Sequence, residues 1–187
     1  MTLATLAELK TRLGITDSSD DPALTAHLQR VEDRMAAHCD REWSLAIRIE
    51  FFTGPLGWLL LKAFPVVSVT SVTLDDVALT MNVDYQVRVD RGRISYLYDN
   101  GLWPENAEIE VTYRGGYATA GTTPGAGETL PPATLTAALL TQAEWEWRNK
   151  NVLGLKSASQ SGVSVAAADF EWLPAVREAM GPHRRFG

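Results

Sequence analysis

The alternation of apolar and polar residues along this chain changes period twice, dividing it into a helical stretch, a β stretch and a second helical stretch. Leu6, Leu9 and Leu13 form one stripe behind Thr5 and Glu8, which are spaced as a capping box, and Gly14 ends the short helix they predict. A polar link, Asp17 to Asp21, follows. Asp21 is a good N-cap and Pro22 a good first residue for a second helix, which carries Leu24, Leu28, Val31, Met35 and Cys39 on one stripe. Cys39 therefore reads as a core residue. Beyond Trp43, Ile47, Ile49 and Phe51 alternate with Arg48 and Glu50, the period of a half-buried strand. Further β-like runs lie at Trp58–Lys62, Val66–Leu74, Tyr85–Val89, Arg93–Tyr98 and Ile109–Tyr113. Turn signals separate them at Gly54-Pro55, Asp75-Asp76, Asp90-Arg91-Gly92 and Asn100-Gly101. Tyr113-Arg114-Gly115-Gly116-Tyr117 closes this region, and the Gly/Thr/Pro-rich Ala118–Thr129 is expected to be a flexible loop.

The helical period returns from about Pro132 to Asn149. Pro131 and Pro132 suit a first turn, where a missing N–H costs little, and Gly154 lies past the far end. At about 100° per residue, Leu135, Leu139, Leu140, Ala143 and Trp147 share one broad face, while Ala138 and Trp145 lie well round the cylinder from it. Ala138 and Trp145 either rest on their own domain or meet a neighbouring subunit. Asn151 to Ala168 is rich in Ser, Gly and Ala, with a small β-like run at Val163–Val165, and reads as an extended arm. Phe170-Glu171-Trp172-Leu173-Pro174 leads into a last short helix with Val176 and Met180, stopped by Gly181-Pro182 and followed by the basic Arg184 and Arg185. This terminal cluster either docks on a neighbour or folds back on its own core.

The fold class expected is α+β: a small helical core of the first two helices and the long later one, with an inserted antiparallel β subdomain and an extended C-terminal arm. The corresponding boundaries are 1–45 and 132–150 for the helical core, 46–117 for the β subdomain, 118–131 for the loop and 151–187 for the arm. At 187 residues, 45% apolar and 21% charged, the chain resembles an ordinary globular protein with one core and room for a small subdomain. Seventeen basic residues against twenty-three acidic ones give a net charge of −6, which argues against a grip on nucleic-acid backbone. The single cysteine allows neither an internal disulfide nor a cysteine-built zinc site. The start lacks an apolar core of signal-peptide length and Trp58 to Leu61 is too short to span a bilayer, so a soluble protein made in the cytoplasm is expected, with no membrane partner.

Candidate chemistry is sparse. Gly121 to Thr129 resembles a phosphate loop but lacks its lysine and its glycine spacing. Asp17, Ser19 and Asp21 begin like a calcium loop, yet Pro22 stands where the turn glycine belongs and Leu28 where the bidentate glutamate belongs. His27, His38 and His183 form no zinc-binding spacing, and His38, the sequence neighbour of Cys39, points about 100° away from it on a helix. Ser157, Ser159, Ser161 and Ser164 lie outside any nucleophile elbow. No catalytic, cofactor or metal site is expected.

The order of short motifs is more telling. T-L-A-E-L-K-T-R-L-G-I, the link ending D-D-P-A-L, a second helix closing at C-D-R-E-W, Y-R-G-G-Y ahead of L-P-P-A-T-L-T-A-A-L-L, and the final W-L-P-A-V-R-E-A-M-G-P-H-R-R run in sequence along nearly the whole chain. Together they resemble the head-tail connector, or adaptor, proteins of long-tailed bacteriophages and phage-derived gene-transfer particles. His183 departs from the aromatic residue common in the closing motif. The resemblance implies a non-enzymatic virion protein of the neck, assembled in the host cytoplasm. It implies a dodecameric ring beneath the portal that extends the DNA channel without binding DNA specifically and carries the stopper or tail. Carried over by position, it makes Phe170, Trp172, Leu173, Val176, Met180, Arg184 and Arg185 the portal-facing segment. Two alternatives stand beside it: a stopper or tail-completion protein of the same particle, and a ligand-binding module presenting Trp58, Tyr96, Tyr98 and Trp103 as an aromatic platform.

Overall fold

Thr5 and Glu8 close the capping box that their spacing predicts. The Thr5 backbone N–H donates to the Glu8 carboxylate at 2.7 Å and the Glu8 N–H to Thr5 Oγ1 at 3.3 Å, which starts α1 (Leu6–Leu13). Gly14 ends it in the left-handed conformation, with φ 72°. The computed structural model describes residues 2–150, 157–160, 163–166 and 171–185. Contacts divide the chain into a helical unit, residues 3–39 and 132–184, and a β unit, residues 40–131 with Thr2 and Arg185. The α+β class expected from the sequence is thus the class observed.

In the helical unit, α2 (Asp21–Cys39) buries Leu24, Leu28, Val31, Met35 and Cys39, the stripe read from the sequence. α3 (Ala133–Arg148) buries Leu135, Leu139, Leu140 and Ala143. The short α4 (Pro174–Met180) contributes Val176 and Met180 to the same core, and a 3₁₀ turn, Gly181–His183, follows it.

In the β unit, β1 (Ala46–Thr53), β3 (Val66–Leu74), β4 (Val77–Ala78) and β7 (Glu108–Gly115) form an antiparallel sheet ordered β1-β7-β3-β4. β2 (Leu59–Leu60), β5 (Tyr85–Arg88) and β6 (Arg93–Tyr96) form a second, ordered β2-β6-β5. Their apolar side chains, among them Leu59, Leu61, Val72, Ile94, Trp103, Ile109, Val111 and Tyr113, make one core. Asp75 and Asp76 both adopt positive φ, 46° and 66°, the requirement of a two-residue hairpin turn, and so create β4, which the sequence reading did not foresee.

Two expectations change. The loop at 118–129 is pinned rather than loose: the Ala118 N–H donates to Thr129 O at 2.8 Å, and Glu128 joins the Arg114 guanidinium to the Gly125 N–H. Those two donors hold the Glu128 carboxyl below the ordinary carboxylate range, the Gly125 amide first. The arm expected at 151–168 contains β8 (Ser157–Gln160) paired antiparallel with β9 (Val163–Ala166), while its remaining residues lie outside the described ones.

Candidate functional site

No cluster of His, Cys, Asp or Glu among the described residues could hold a metal ion, and no described helix is long and apolar enough to cross a membrane.

The C-terminal segment is tethered through two polar side chains of α3. Gln142, fully buried, accepts the Leu173 N–H at 3.1 Å and donates to Glu171 O at 3.1 Å and to the Glu146 carboxylate at 2.9 Å. Glu146, also buried, takes the Arg34 guanidinium at 2.8 Å. Arg34 in turn lies 4.8 Å from the Trp172 ring centroid, and His38 sits 5.8 Å away on the same indole. A buried glutamate needs such a partner, because an unpaired charge away from water is costly. Sequence reading missed Gln142 and Glu146, since a polar residue on a helix reads as solvated until a distant segment is known to cover it.

Of the residues assigned to portal contact by resemblance, Val176 and Met180 lie in the helical core, at 1% and 0% exposure. Trp172 and Leu173 are half-buried and Arg184 is exposed. Arg185, in the β unit, donates to Asp40 at 2.9 Å and to Leu60 O at 2.7 Å. Phe170 lies outside the described residues. Of the two positions assigned to a subunit interface, Ala138 is buried one turn ahead of Gln142, and Trp145 is half-buried. His27, on α2, is buried with its Nε2 3.0 Å from Ala143 O and Arg30 against its Nδ1 at 3.1 Å. Burial holds its imidazole below the ordinary histidine value, so the neutral ring donates from Nε2 to the carbonyl.

In the β unit, the aromatic platform does not form as a set. Trp103 is wholly buried and stacked on Tyr96 at 4.8 Å, whereas Trp58 and Tyr98 are about half exposed and Arg93 covers the Trp58 ring at 3.9 Å. Trp103 is large enough to fill the space between two small sheets, which is the commoner use of a strand-flanking aromatic.

The strongest surface feature is the outer face of β1. The strand alternates as expected, but with inverted phase: Ile47, Ile49 and Phe51 are 71%, 56% and 62% exposed, while Arg48 and Glu50 point inward. Glu50 has a reason to be inside. It accepts the Tyr113 hydroxyl and, at 2.9 Å, the Lys62 N–H, and Tyr113 Oη itself accepts the Ala63 N–H at 3.0 Å. Burial and the Glu50 charge raise the Tyr113 pKa well above its ordinary value, so the phenol stays a donor. Arg48 reaches Ser44 O at 3.1 Å and Glu42 at 3.5 Å. Along the free edge of β1 runs a groove of about 450 Å³, lined by residues 47–51 with Glu42 and Lys62.

No family model and no curated protein matches the chain. Solved structures do. A chain in the neck of an empty gene transfer agent particle, computed with C6 symmetry, aligns over 97% of this chain and 89% of its own, at TM-score 0.60 and 17% identity. A chain in the virion of the native gene transfer agent particle aligns over the same shares at TM-score 0.60 and 18% identity. A third, in the native neck computed with C12 symmetry, covers 97% and 88% at TM-score 0.56 and 16% identity. At these identities the likeness is one of fold, and it embraces nearly the whole of both chains.

Proposed function

We propose that this protein is a structural component of the neck of a tailed, phage-like particle, and within the neck the adaptor: a ring of copies beneath the portal that prolongs the DNA channel and receives the stopper or tail. The observation that carries the proposal is the likeness of fold to chains of gene transfer agent necks over 97% of this chain. It agrees with the adaptor-like order of motifs from T-L-A-E-L-K to the closing W-L-P-A-V-R. A net charge of −6 suits a conduit, because a surface rich in Lys and Arg would hold the phosphates that must slide past it.

In this reading the segment after Phe170 faces the portal through the exposed Arg184 and the half-buried Trp172 and Leu173, while Val176 and Met180 anchor it. Contact through those two would require α4 to leave its core. The test is native mass spectrometry of the purified chain, alone and mixed with a portal ring. Closed rings in either sample are expected, and monomer alone in both would overturn the proposal. A chain ending after Ala168 is expected to lose portal binding, and undiminished binding would remove the segment's role. Capture of a tail protein without the portal would move the chain down one level, to a stopper or tail-completion protein.

A further inference from the structure

β8 and β9 make a sheet of their own, two strands wide, in the chain between Arg148, where α3 ends, and Glu171, whose carbonyl Gln142 of α3 holds. A ribbon of two strands is marginal in water and gains stability from a third. Its register sets Ala158 opposite Val165 and Gln160 opposite Val163, with Ser157 opposite Ala166 and Ser159 opposite Ser164. Opposite residues and alternate residues share a face, so Ala158, Val163 and Val165 fall on one side with Gln160, and the three serines fall on the other. Residues 157–166 carry no charge.

β1 is an open edge that such a ribbon fits. It spans eight residues, ends the sheet β1-β7-β3-β4 and keeps an unbroken register with β7, without proline or bulge. Proteins also guard edges with inward-pointing charges, which an added strand would trap. β1 has two, Arg48 and Glu50, and both are engaged within the β unit: Glu50 by the Tyr113 hydroxyl and the Lys62 N–H, Arg48 by Ser44 and Glu42. A strand laid along β1 therefore leaves neither without a partner. The groove at this edge is electrically mixed, with Glu42 and Glu50 beside Arg48 and Lys62. A charged partner of either sign would meet a like charge there, and an uncharged ribbon meets none. Ile47, Ile49 and Phe51 stay exposed within one copy. Residues 149–156 can carry the ribbon at most about 29 Å from α3 when fully extended, which is about the width of a small domain.

We propose that β9 of one copy pairs with the free edge of β1 in the next, with Val163 and Val165 beside Ile47, Ile49 and Phe51 and the serine face beside Arg48 and Glu50. This inference rests on the ring reading given above and names its contact. Main-chain hydrogen bonds supply the affinity of such an added strand, and its alternating side chains set the register. A ribbon passed from copy to copy joins unlike surfaces, as a closed ring requires, whereas β1 on β1 would stop at a dimer. Ile49→Cys and Val165→Cys, placed together in one chain, are expected to give a ladder of oligomers with a short bismaleimide. The two single variants, mixed before assembly, should give a cross-linked dimer. Cys39 is buried and does not compete. A cross-link confined to one chain would overturn the proposal, as would efficient cross-linking of Ile49→Cys alone, the mark of a two-fold contact. Rings that form from the double variant without a ladder would overturn it and leave the ring function standing. The second readout exchanges residues 157–166 for a Gly-Ser linker of the same length. Its circular dichroism and amide protection in residues 173–180 should match the wild type, yet its ring fraction should fall about tenfold or more. Unchanged rings from the folded linker variant would equally overturn the proposal. Wild-type chain that forms no ring, alone or on a portal ring, would remove the function and this inference together.

Discussion

Replacing Gln142 by leucine isolates what holds the C-terminal segment in place. Leucine nearly matches glutamine in size, so the exchange removes three hydrogen bonds without opening a large cavity. The Leu173 N–H and Glu171 O lose partners at 3.1 Å each, and both sit at the margin of the unit where water can partly replace them, at about 1 kcal/mol apiece. Glu146 loses a donor at 2.9 Å and keeps Arg34; a hydrogen bond to a buried charged group contributes about 1.5–3 kcal/mol. Leucine returns about 1 kcal/mol through added apolar burial. The net loss is about 2.5–4 kcal/mol, felt where α4 meets α3. Because each 1.4 kcal/mol is a factor of ten, amide protection in residues 173–180 should fall about 60- to 700-fold in hydrogen exchange read by mass spectrometry. Amides of β1 and β7 serve as the control. Less than a tenfold loss, or an equal loss in the β unit, would refute the view that Gln142 is the tether.

Three further outcomes are expected. Gly116→Ala should unfold or precipitate the β unit: Gly116 has φ 109°, and a Cβ there would lie 2.5 Å from Ser44 O and 2.8 Å from Trp43 O, whereas Gly57→Ala, with open space around it, should melt like the wild type. Tyr113→Phe leaves the Ala63 N–H without its acceptor in a buried setting and should cost about 1–3 kcal/mol in urea titration of the β-sheet circular dichroism; a cost under about 0.5 kcal/mol would mean that water reaches the site. His27 and His38 are both held below the ordinary value of about 6.5, burial being the first cause for each. The unfolded chain therefore takes up protons before the folded one does. The stability these residues confer is full above about pH 6.5 and declines as pH falls below it. Urea midpoints of the helical unit should drop between pH 7.5 and 5.5, and His27→Gln with His38→Gln should flatten that drop.

What the sequence disclosed well was whatever local chemistry decides. The capping box at Thr5, the span Val66–Leu74 and the helix of about Pro132–Asn149 were legible because cap spacing, strand period and helix period act within a few residues of themselves. The Gly115-Gly116 pair could be seen as an end signal, but only the approach of Ala63 O to Gly115, and of Ser44 O and Trp43 O to Gly116, explains why both positions resist a side chain. The burial of Gln142 was not legible, because its partner Leu173 lies 31 residues further along. The same holds for Ala118–Thr129, whose composition suggests looseness while Glu128 and the Arg114 guanidinium close it.

The phase of β1 is the most instructive failure, because hydrophobicity alone argues for the wrong side. Period two says that alternate residues share a face, but not which face is inside. An isolated reading places Ile47, Ile49 and Phe51 in the core and leaves Arg48 and Glu50 in water. The deciding residue is on another strand. Tyr113 brings a hydroxyl into the core of the β unit, and a buried hydroxyl must be satisfied. Glu50 supplies its acceptor only if β1 lies in the observed phase, and a one-residue slip would withdraw that carboxylate and the Lys62 N–H bond with it. The same phase packs Phe52 against the core, so a polar requirement and one aromatic inside together outweigh three apolar residues outside. That phase becomes more economical in a chain whose neighbour covers the stripe, since burying three large apolar side chains contributes about 1.5–3 kcal/mol each when complete.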